Sequence, residues 1–282
     1  MIRFYPDTNV VHLLEQTWTP EAFDARARAA DHVLALGFHV IYELARGFGR
    51  PARRPAVSAA CRFLSAIQRL EFQPDIHAIV RADFHRAVTG LELVTVLSPA
   101  NQLLTRQEIV MMAAGRTAAA ALPFIEKRES RTRLYHPQTA LANMRSIRSA
   151  LDGNALARRL CRTFQGFRQY MSLTAPPMLR RLASGQRVRV TEPGIRLILA
   201  DHERFPVVTT WLNAQWYLMW VSTMYQNVPA RDKLDDFRHL TESARCDVFV
   251  TAERGLLKRA HDIRPFRPTI SWDDLRARLS LR

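Results

Sequence analysis

Acidic residues that follow predicted strands are the feature of this chain that most clearly suggests chemistry. The candidate site consists of four acids from distant parts of the chain: Asp7, Glu43, Asp236 and Glu253. Brought together, these carboxylates would repel one another unless a cation neutralised them, and Mg²⁺ or Mn²⁺ with oxygen ligands is the natural counter-ion. Such an ion lowers the pKa of a bound water and polarises a phosphate, which is the chemistry of phosphodiester hydrolysis.

Polar neighbours of these acids are expected to support the site: Asn9, Asp232, Asp235, His239 and Thr251. On a helix, Asp232 and Asp236 share a face, whereas Asp235 is turned away from Asp236 by about 100°. We therefore favour Asp236 as the ligand, with Asp232 as its partner. Asn9 and Thr251 either orient carboxylates or waters, or serve as a helix cap and a turn residue.

Each acid also has a purely structural explanation. Asp7 could cap the helix that follows it, and Glu43 would be favourable in the first turn of a helix. Either of the adjacent aspartates could pair with Arg238 or Arg231 on the surface. We favour a shared site, because one arrangement accounts for all four positions.

The elements that must position these acids alternate between strand and helix at both ends of the chain. The predicted strands are Ile2–Tyr5, His39–Tyr42, Leu91–Leu97, Val248–Thr251 and Pro268–Ser271. The predicted helices between them are Asn9–Gln16, a short one from Glu43 to Gly47, Ala56–Arg69, Arg231–Ser243, Glu253–Ala260 and one that starts at Trp272. Apolar strands separated by helices predict an α/β fold with a parallel sheet covered on both faces. Asp7 and Glu253 then follow the carboxyl ends of strands, where ligands gather.

The middle of the chain has a different texture, rich in alanine and arginine. Its predicted helices are Thr105–Arg128, Pro137–Leu151, Asn154–Met171 and Pro176–Ala183. We therefore predict an α/β domain whose first half is residues 1–104 and whose second half is residues 205–282, with a helical insertion at 105–204. Within the insertion, the spacing of Phe164, Phe167 and Tyr170 favours core packing over base stacking.

Basic charge is concentrated in this predicted insertion. The formal net charge is +15, and residues 105–190 contain sixteen arginines and lysines against four acids, which is +12 of that total. A general arginine bias would spread the charge more evenly, so we expect a surface that faces nucleic acid, with a merely solvated helical face as the alternative. The arginines expected to bind nucleic acid are Arg145, Arg148, Arg158, Arg159, Arg162 and Arg168.

Several classes of protein are disfavoured. The three cysteines, Cys61, Cys161 and Cys246, have neither disulfide-framework nor zinc-knuckle spacing. The uncharged segment Phe205–Ala230 contains many amide and hydroxyl side chains, which favours a buried or partner-facing helix over a membrane span. An acid and a proline stand where a signal peptide would be apolar, so we expect a cytoplasmic protein. Motifs of nucleotide-driven motors and serine hydrolases are absent.

Four motifs in chain order resemble those of the PIN-domain nucleases. Asp7–Val10, after a short apolar strand, is similar to the first motif of that family, and Glu43–Gly47 is similar to its second acidic motif. Asp236–Ala244 resembles the helix that supplies another acid, and Cys246–Glu253 resembles the strand and loop that close the site. The resemblance covers residues 1–97 and 231–282, whereas residues 105–204 correspond to nothing in the compact members.

The resemblance implies a PIN-like, Rossmann-like three-layer sandwich with a central parallel sheet, interrupted by the all-helical insertion. It implies that Asp7, Glu43, Asp236 and Glu253 bind Mg²⁺ or Mn²⁺, and that the protein is an endoribonuclease that cleaves single-stranded RNA. A 5′-phosphate and a 3′-hydroxyl would result. At the family level, a toxin or defence role is expected. Apart from the resemblance, an antitoxin-like protein inhibitor and a second copy of the chain, in a homodimer, are partner predictions.

Glu253 departs from the pattern, because the family usually has Asp or Asn at this position. The longer side chain reaches a metal directly or through water, or it marks a weakened site. Two alternatives therefore stand beside the ribonuclease. One is a nuclease of the same fold that acts on DNA flaps or structured ends, and the other is a degenerate scaffold that binds RNA or protein through its arginine helices.

Overall fold

The chain folds into a mixed α/β structure. The computed structural model describes residues 1–93, 97–115, 125, 137–225, 231–264 and 266–280, with the backbone alone described for residues 137–143, 145, 231 and 232. The described strands are β1 (Ile2–Pro6), β2 (His32–Leu36), β3 (Leu70–Phe72), β4 (Val248–Thr251) and β5 (Thr269–Ser271). The described α-helices are α1 (Thr8–Thr17), α2 (Pro20–Ala29), α3 (Phe38–Phe48), α4 (Arg54–Ala66), α5 (Ile76–Thr89), α6 (Pro99–Ala113), α7 (Pro137–Asp152), α8 (Ala155–Leu160), α9 (Phe164–Met171), α10 (Ala175–Gly185), α11 (Glu192–Ala200), α12 (Pro206–Tyr225), α13 (Arg231–Glu242), α14 (Arg254–Ile263) and α15 (Trp272–Ser280).

The five strands form one parallel sheet in the order β3–β2–β1–β4–β5. Every residue of β2 and β4 is buried, as expected when helices cover both faces of a parallel sheet. The chain places β2 and β3 on one side of β1, and β4 and β5 on the other. The carboxyl ends of β1 and β4 therefore border the crevice where ligands bind in open sheets of this kind. The predicted α/β class is confirmed.

The predicted strand His39–Tyr42 is wrong, because these residues lie in the first half of α3. Nearly the whole circumference of this part of α3 is buried, including Val40 and Ile41, so packing overrides their preference for strands. Glu43 consequently lies in the second turn of α3 and not in a first turn, as the sequence had suggested. The strand that pairs with β1 on this side of the sheet is β2, which begins after Asp31, a residue with a φ of 53°.

The predicted strand Leu91–Leu97 is not found at residues 91–93 or at Leu97, and residues 94–96 lie outside the described part of the chain. The edge of the sheet next to β2 is formed instead by β3. This strand has only three residues, which is too short for an alternating pattern to be detected. The strand predicted at Val248–Thr251 is confirmed without change.

The described residues between 105 and 204 contain helices and no strand, as predicted. The single helix expected at Asn154–Met171 is two helices, α8 and α9, because the Thr163 side chain accepts a hydrogen bond from the Gly166 amide and starts a new helix. Phe164 and Phe167 are buried and Tyr170 packs against the core, which confirms their predicted role. One hydrophobic core runs through these helices and the sheet. The predicted boundary at residue 105 falls within α6, and a separate insertion remains a prediction.

Helix α12 occupies the centre of the helical layer and contacts α5, α7, α9, α13 and α14. Most of its residues are buried, so the expectation of a buried helix is confirmed for Pro206–Tyr225, and residues 226–230 lie outside the description. Among the described helices, none combines the length and the apolarity that crossing a bilayer requires.

Candidate metal centre

The four acids selected from the sequence line a single cleft of about 490 Å³. Asp7 and Glu253 reach it from the ends of β1 and β4, Glu43 reaches it from α3, and Asp236 reaches it from α13. Asn9, Asp235 and His239 line the same cleft. Side chains that are far apart in the chain are thus brought together at the crevice between β1 and β4.

Asp7 is almost fully buried and is held by two hydrogen bonds. One carboxylate oxygen accepts the amide of Val10 at 2.8 Å, so Asp7 caps α1, and the other accepts the hydroxyl of Thr251 at 2.5 Å. Burial raises the pKa of Asp7, although both hydrogen bonds oppose the shift. Asp7 is therefore both the N-cap of α1 and a lining residue of the cleft.

Glu253 is exposed at the edge of the cleft, and its carboxylate accepts a hydrogen bond from the Asn9 side chain at 2.9 Å. Its own amide donates to the Thr251 hydroxyl at 3.0 Å. Asn9 and Thr251 therefore each orient a carboxylate, the first that of Glu253 and the second that of Asp7.

Glu43 lies between two histidines, and the three side chains could hold a metal ion. The Nε2 atom of His239 lies 2.9 Å from one Glu43 carboxylate oxygen, which also accepts the hydroxyl of Thr8, and the Nε2 atom of His39 lies 3.6 Å from the other. One donor atom from each of these three residues lies within 4.8 Å of the other two. Carboxylate and imidazole together suit a divalent cation.

The charges of this group depend on one another. Burial alone would raise the pKa of Glu43, but the two neighbouring imidazoles, His239 above all, lower it strongly. Burial would lower the pKa of His239, yet the charge and hydrogen bond of Glu43 raise it to about 9. Burial lowers the pKa of His39. At neutral pH, Glu43 and His239 therefore form an ion pair beside a neutral His39.

The two adjacent aspartates of α13 are both engaged in ion pairs. Asp235 binds Arg238 at 2.5 Å and also lies 3.7 Å from Arg46. Asp236 binds Arg259 at 2.6 Å, and burial raises its pKa against the opposing effect of Arg259. The sequence offered an ion pair with Arg238 or Arg231 as a structural explanation for one of these aspartates. In the structure, Asp235 pairs with Arg238.

Both aspartates reach the cleft, so the helical argument for Asp236 over Asp235 does not exclude Asp235. The side chain of Asp232, the predicted partner of Asp236, lies outside the described part of the structure.

No family model, curated protein or solved structure matches this chain. What the site can do therefore follows from its own geometry.

Behind the histidines lies a buried network that the sequence did not reveal. The Tyr5 hydroxyl donates to Glu242 at 3.0 Å and lies 3.2 Å from Nδ1 of His239. Glu242 also accepts the backbone amide of His39 at 2.9 Å, and burial raises its pKa to about 7. Gly37 is required here, because a Cβ atom would lie 2.2 Å from the Glu242 carboxylate.

His39 had no predicted role, because no metal-ligand spacing was recognised for it in the sequence. In a helix, His39 and Glu43 are four residues apart and share a face, and that spacing is the signal that could have identified the pair. Arg46, Arg50 and Arg53 also line the cleft without having been predicted.

The arginines expected to bind nucleic acid differ in their surroundings. Arg158 contacts Asp152 at 3.2 Å and Arg148 lies 4.0 Å from the same carboxylate. Arg159 and Arg162 are exposed. The side chain of Arg145 lies outside the described residues.

Arg168 lines a second cavity of about 550 Å³ between α9, α12 and the residues before β5. His202 and Phe266 stack against each other in this cavity with ring centres 5.6 Å apart. The cavity is separate from the acidic cleft, since the two share no lining residue.

Proposed function

We propose that this protein is a PIN-like, metal-dependent endoribonuclease that cleaves single-stranded RNA with Mg²⁺ or Mn²⁺. The observation that carries the proposal is the meeting of Asp7, Glu43, Asp236 and Glu253 in one cleft at the carboxyl ends of β1 and β4. Oxygen ligands from separate elements at this position suit a magnesium or manganese ion.

The electrostatics of the cleft support a cation. Burial raises the pKa of both Asp7 and Asp236, and the nearby charge of Glu253 raises each pKa further. Burial and Glu253 therefore both disfavour the ionised forms of Asp7 and Asp236, and a divalent ion would counteract these two effects.

The residues of the cleft have three different proposed roles. Asp7, Glu43, Asp236 and Glu253 would hold the ion, while Thr251 and Asn9 fix the carboxylates of Asp7 and Glu253. When bound, the ion would lower the pKa of a coordinated water and polarise the scissile phosphate. Phosphate groups of the substrate would contact the arginines of the cleft, Arg46, Arg50 and Arg53.

RNA is proposed as the substrate on the resemblance of the four motifs to the PIN-domain nucleases. Branched DNA is the competing substrate of the same chemistry. The toxin or defence role, the protein inhibitor, the homodimer and the cytoplasmic location stay predictions from the sequence.

A binding scaffold without catalysis is the second candidate. It is favoured by the ion pairs of Asp236 with Arg259 and of Asp235 with Arg238, since these arginines already neutralise two of the acids. Glu253 also favours the scaffold, because its side chain is exposed and because glutamate replaces the Asp or Asn that the family usually has at this position.

The test is cleavage of a mixed single-stranded RNA pool by the wild type, Asp7→Asn and Asp273→Asn, with Mg²⁺, Mn²⁺ or EDTA. Asparagine preserves the N-cap of α1, so the folded state should survive while a metal ligand is lost. Asp273, with a side chain 79% exposed, is the matched control. We expect metal-dependent cleavage by the wild type and the control, and a reduction of roughly 10³-fold in Asp7→Asn.

Retention of RNA on a filter by all three proteins, with no cleavage by any of them, would support the scaffold instead. Preferential cutting of a branched DNA competitor would keep the nuclease and replace its substrate.

A further inference from the structure

We propose that His39, Glu43 and His239 form a second cation site, specific for a borderline divalent ion such as Zn²⁺ or Co²⁺, which shares Glu43 with the carboxylate cleft. The site does not depend on the proposed nuclease activity, because its argument uses only the geometry of α3 and α13. It joins two imidazoles to one carboxylate, a different donor set from the acids that line the rest of the cleft.

The packing of two helices creates the site. On α3, His39 and Glu43 are four residues apart and point the same way, and α13 packs against α3 with His239 facing them. The donor atoms of the three residues lie within 4.8 Å of one another. The ligands are therefore supplied by rigid helices and not by a loop.

Two of the separations between donor atoms are close to those of ligands around one ion, and the third is that of a hydrogen bond. Two ligand atoms about 2.1 Å from a tetrahedral metal are roughly 3.4 Å apart. Nε2 of His39 lies 3.6 Å from one oxygen of Glu43 and 3.5 Å from an oxygen of Asp235, and Nε2 of His239 lies 2.9 Å from the other oxygen of Glu43. Small side-chain adjustments would bring these atoms to bonding distance of a shared ion.

His39 provides an independent indication of a ligand. Its side chain is 0% exposed, yet neither ring nitrogen has a hydrogen-bond partner among the described residues. Its Nε2 points toward two carboxylates that are too far away for good hydrogen bonds. A buried polar group without a partner costs free energy, and a metal ion at this position would satisfy the Nε2 lone pair.

His239 has the support that metal-binding histidines usually have. Tyr5 donates its proton to Glu242, so its oxygen is free to accept from Nδ1–H of His239 at 3.2 Å. Metal binding would release the Nε2 proton that His239 shares with Glu43, and this arrangement would then hold the ring with its Nε2 lone pair toward the ion.

Two imidazoles and one carboxylate favour zinc or cobalt over magnesium and manganese, which prefer oxygen ligands. Glu43 and His239 both line the cleft, so a further coordination position is open to water or substrate on that side.

The test is a titration of the metal-free protein with Co²⁺, followed by visible absorption, in the wild type, His39→Gln, His239→Gln and His12→Gln. His12 also lines the cleft but is not a member of the cluster, so its variant is the control. We expect one equivalent of Co²⁺ with nitrogen-ligand absorption, displaced by Zn²⁺ but not by roughly a hundredfold excess of Mg²⁺. Either cluster variant should bind more than ~100-fold more weakly, a larger loss than removal of an outer partner causes.

X-ray absorption of the Zn²⁺-loaded wild type provides a measurement that does not depend on whether the variants fold. Two imidazole ligands would support the site, and one or none would overturn it, as would unchanged Co²⁺ affinity in folded His39→Gln. Asp236→Asn separates the two proposals, because it should keep the Co²⁺ absorption while losing cleavage. A protein with the absorption band and no nuclease activity would retain this site and refute only the nuclease.

Discussion

The acidic cleft and the helices of residues 137–200 both carry many charges, but the charged side chains differ in burial and in pairing. In the cleft, Glu43, His239 and Asp236 are buried or half-buried, and each has a partner from another element. In the helical region, Arg159 and Arg162 project into solvent. Burial makes charges depend strongly on their partners, whereas solvent screens exposed ones. A charge removed from the cleft should therefore change the fold and the chemistry, and one removed from the helices should change only binding.

The largest effect is expected for Glu43→Gln. The substitution removes the charge that balances His239 in a buried position, and breaking a buried pair costs about 3–5 kcal/mol. Urea denaturation of the metal-free protein should show this loss, and Glu192→Gln, which breaks the exposed pair with Arg180, should cost less than about 1 kcal/mol. Equal losses in the two variants would contradict the contrast between the regions.

The pH dependence of stability should reflect the same buried pair. The pKa of His239 is raised from its usual 6.5 to about 9, so the stabilisation it gives is complete below pH 6.5 and is lost as the pH rises through 9. Glu242, with a pKa raised from 4.5 to about 7, loses its contribution over a lower range, as the pH rises from 4.5 through 7. Burial lowers the pKa of Arg264 to about 9, so this residue also begins to titrate between pH 7 and 9, and a comparison with Glu43→Gln is needed to isolate His239.

The metal-free wild type should therefore lose stability between pH 7 and 9, with a slope of up to about 1.4 kcal/mol per pH unit. Denaturation curves at several pH values measure the slope. In Glu43→Gln the slope should be much smaller, and equal slopes in the two proteins would show that His239 does not carry the charge.

A comparison of two glycines tests how tightly each region is packed. In Gly37→Ala the new Cβ atom would meet the Glu242 carboxylate at 2.2 Å and the Tyr5 ring at 2.4 Å, so we expect a loss of about 1–3 kcal/mol. Gly185, at the end of α10, has open space around it. Gly185→Ala should be neutral or stabilising by up to about 1 kcal/mol. Thermal melts of both variants provide the measurement, and a neutral Gly37→Ala would mean that the Tyr5 and Glu242 side chains can move apart.

The two ends of the cleft were predictable from the sequence to different degrees. Asp7 and Glu253 follow apolar strands, and such strands identify the carboxyl edge of a sheet whatever the rest of the fold. His39 could not be found in this way, because α3 is buried around most of its circumference and lacks the polar face that distinguishes a helix from a buried strand. Misplacing that one element concealed the spacing of His39 and Glu43.

Glu242 was also outside the reach of sequence reasoning. Its partners, Tyr5 and the amide of His39, come from β1 and α3, and only the packing of α13 against α3 brings them together. Periodicity describes which face of an element is buried, but it does not specify the neighbour that the face meets.

The smallest effects are expected for the arginines of the helical region, and they should appear in binding alone. Arg159→Gln and Arg162→Gln each remove an exposed charge, so stability should change by less than about 0.5 kcal/mol. If these side chains contact phosphates, each substitution should weaken RNA binding and reduce the slope of log affinity against log salt by about 0.7.

Arg158→Gln should have a smaller effect, because Asp152 already neutralises part of that charge at 3.2 Å. Filter binding at several salt concentrations distinguishes these variants, and an unchanged slope in Arg159→Gln and Arg162→Gln would mean that their charge is only a solvated surface, with substrate held by the cleft arginines alone.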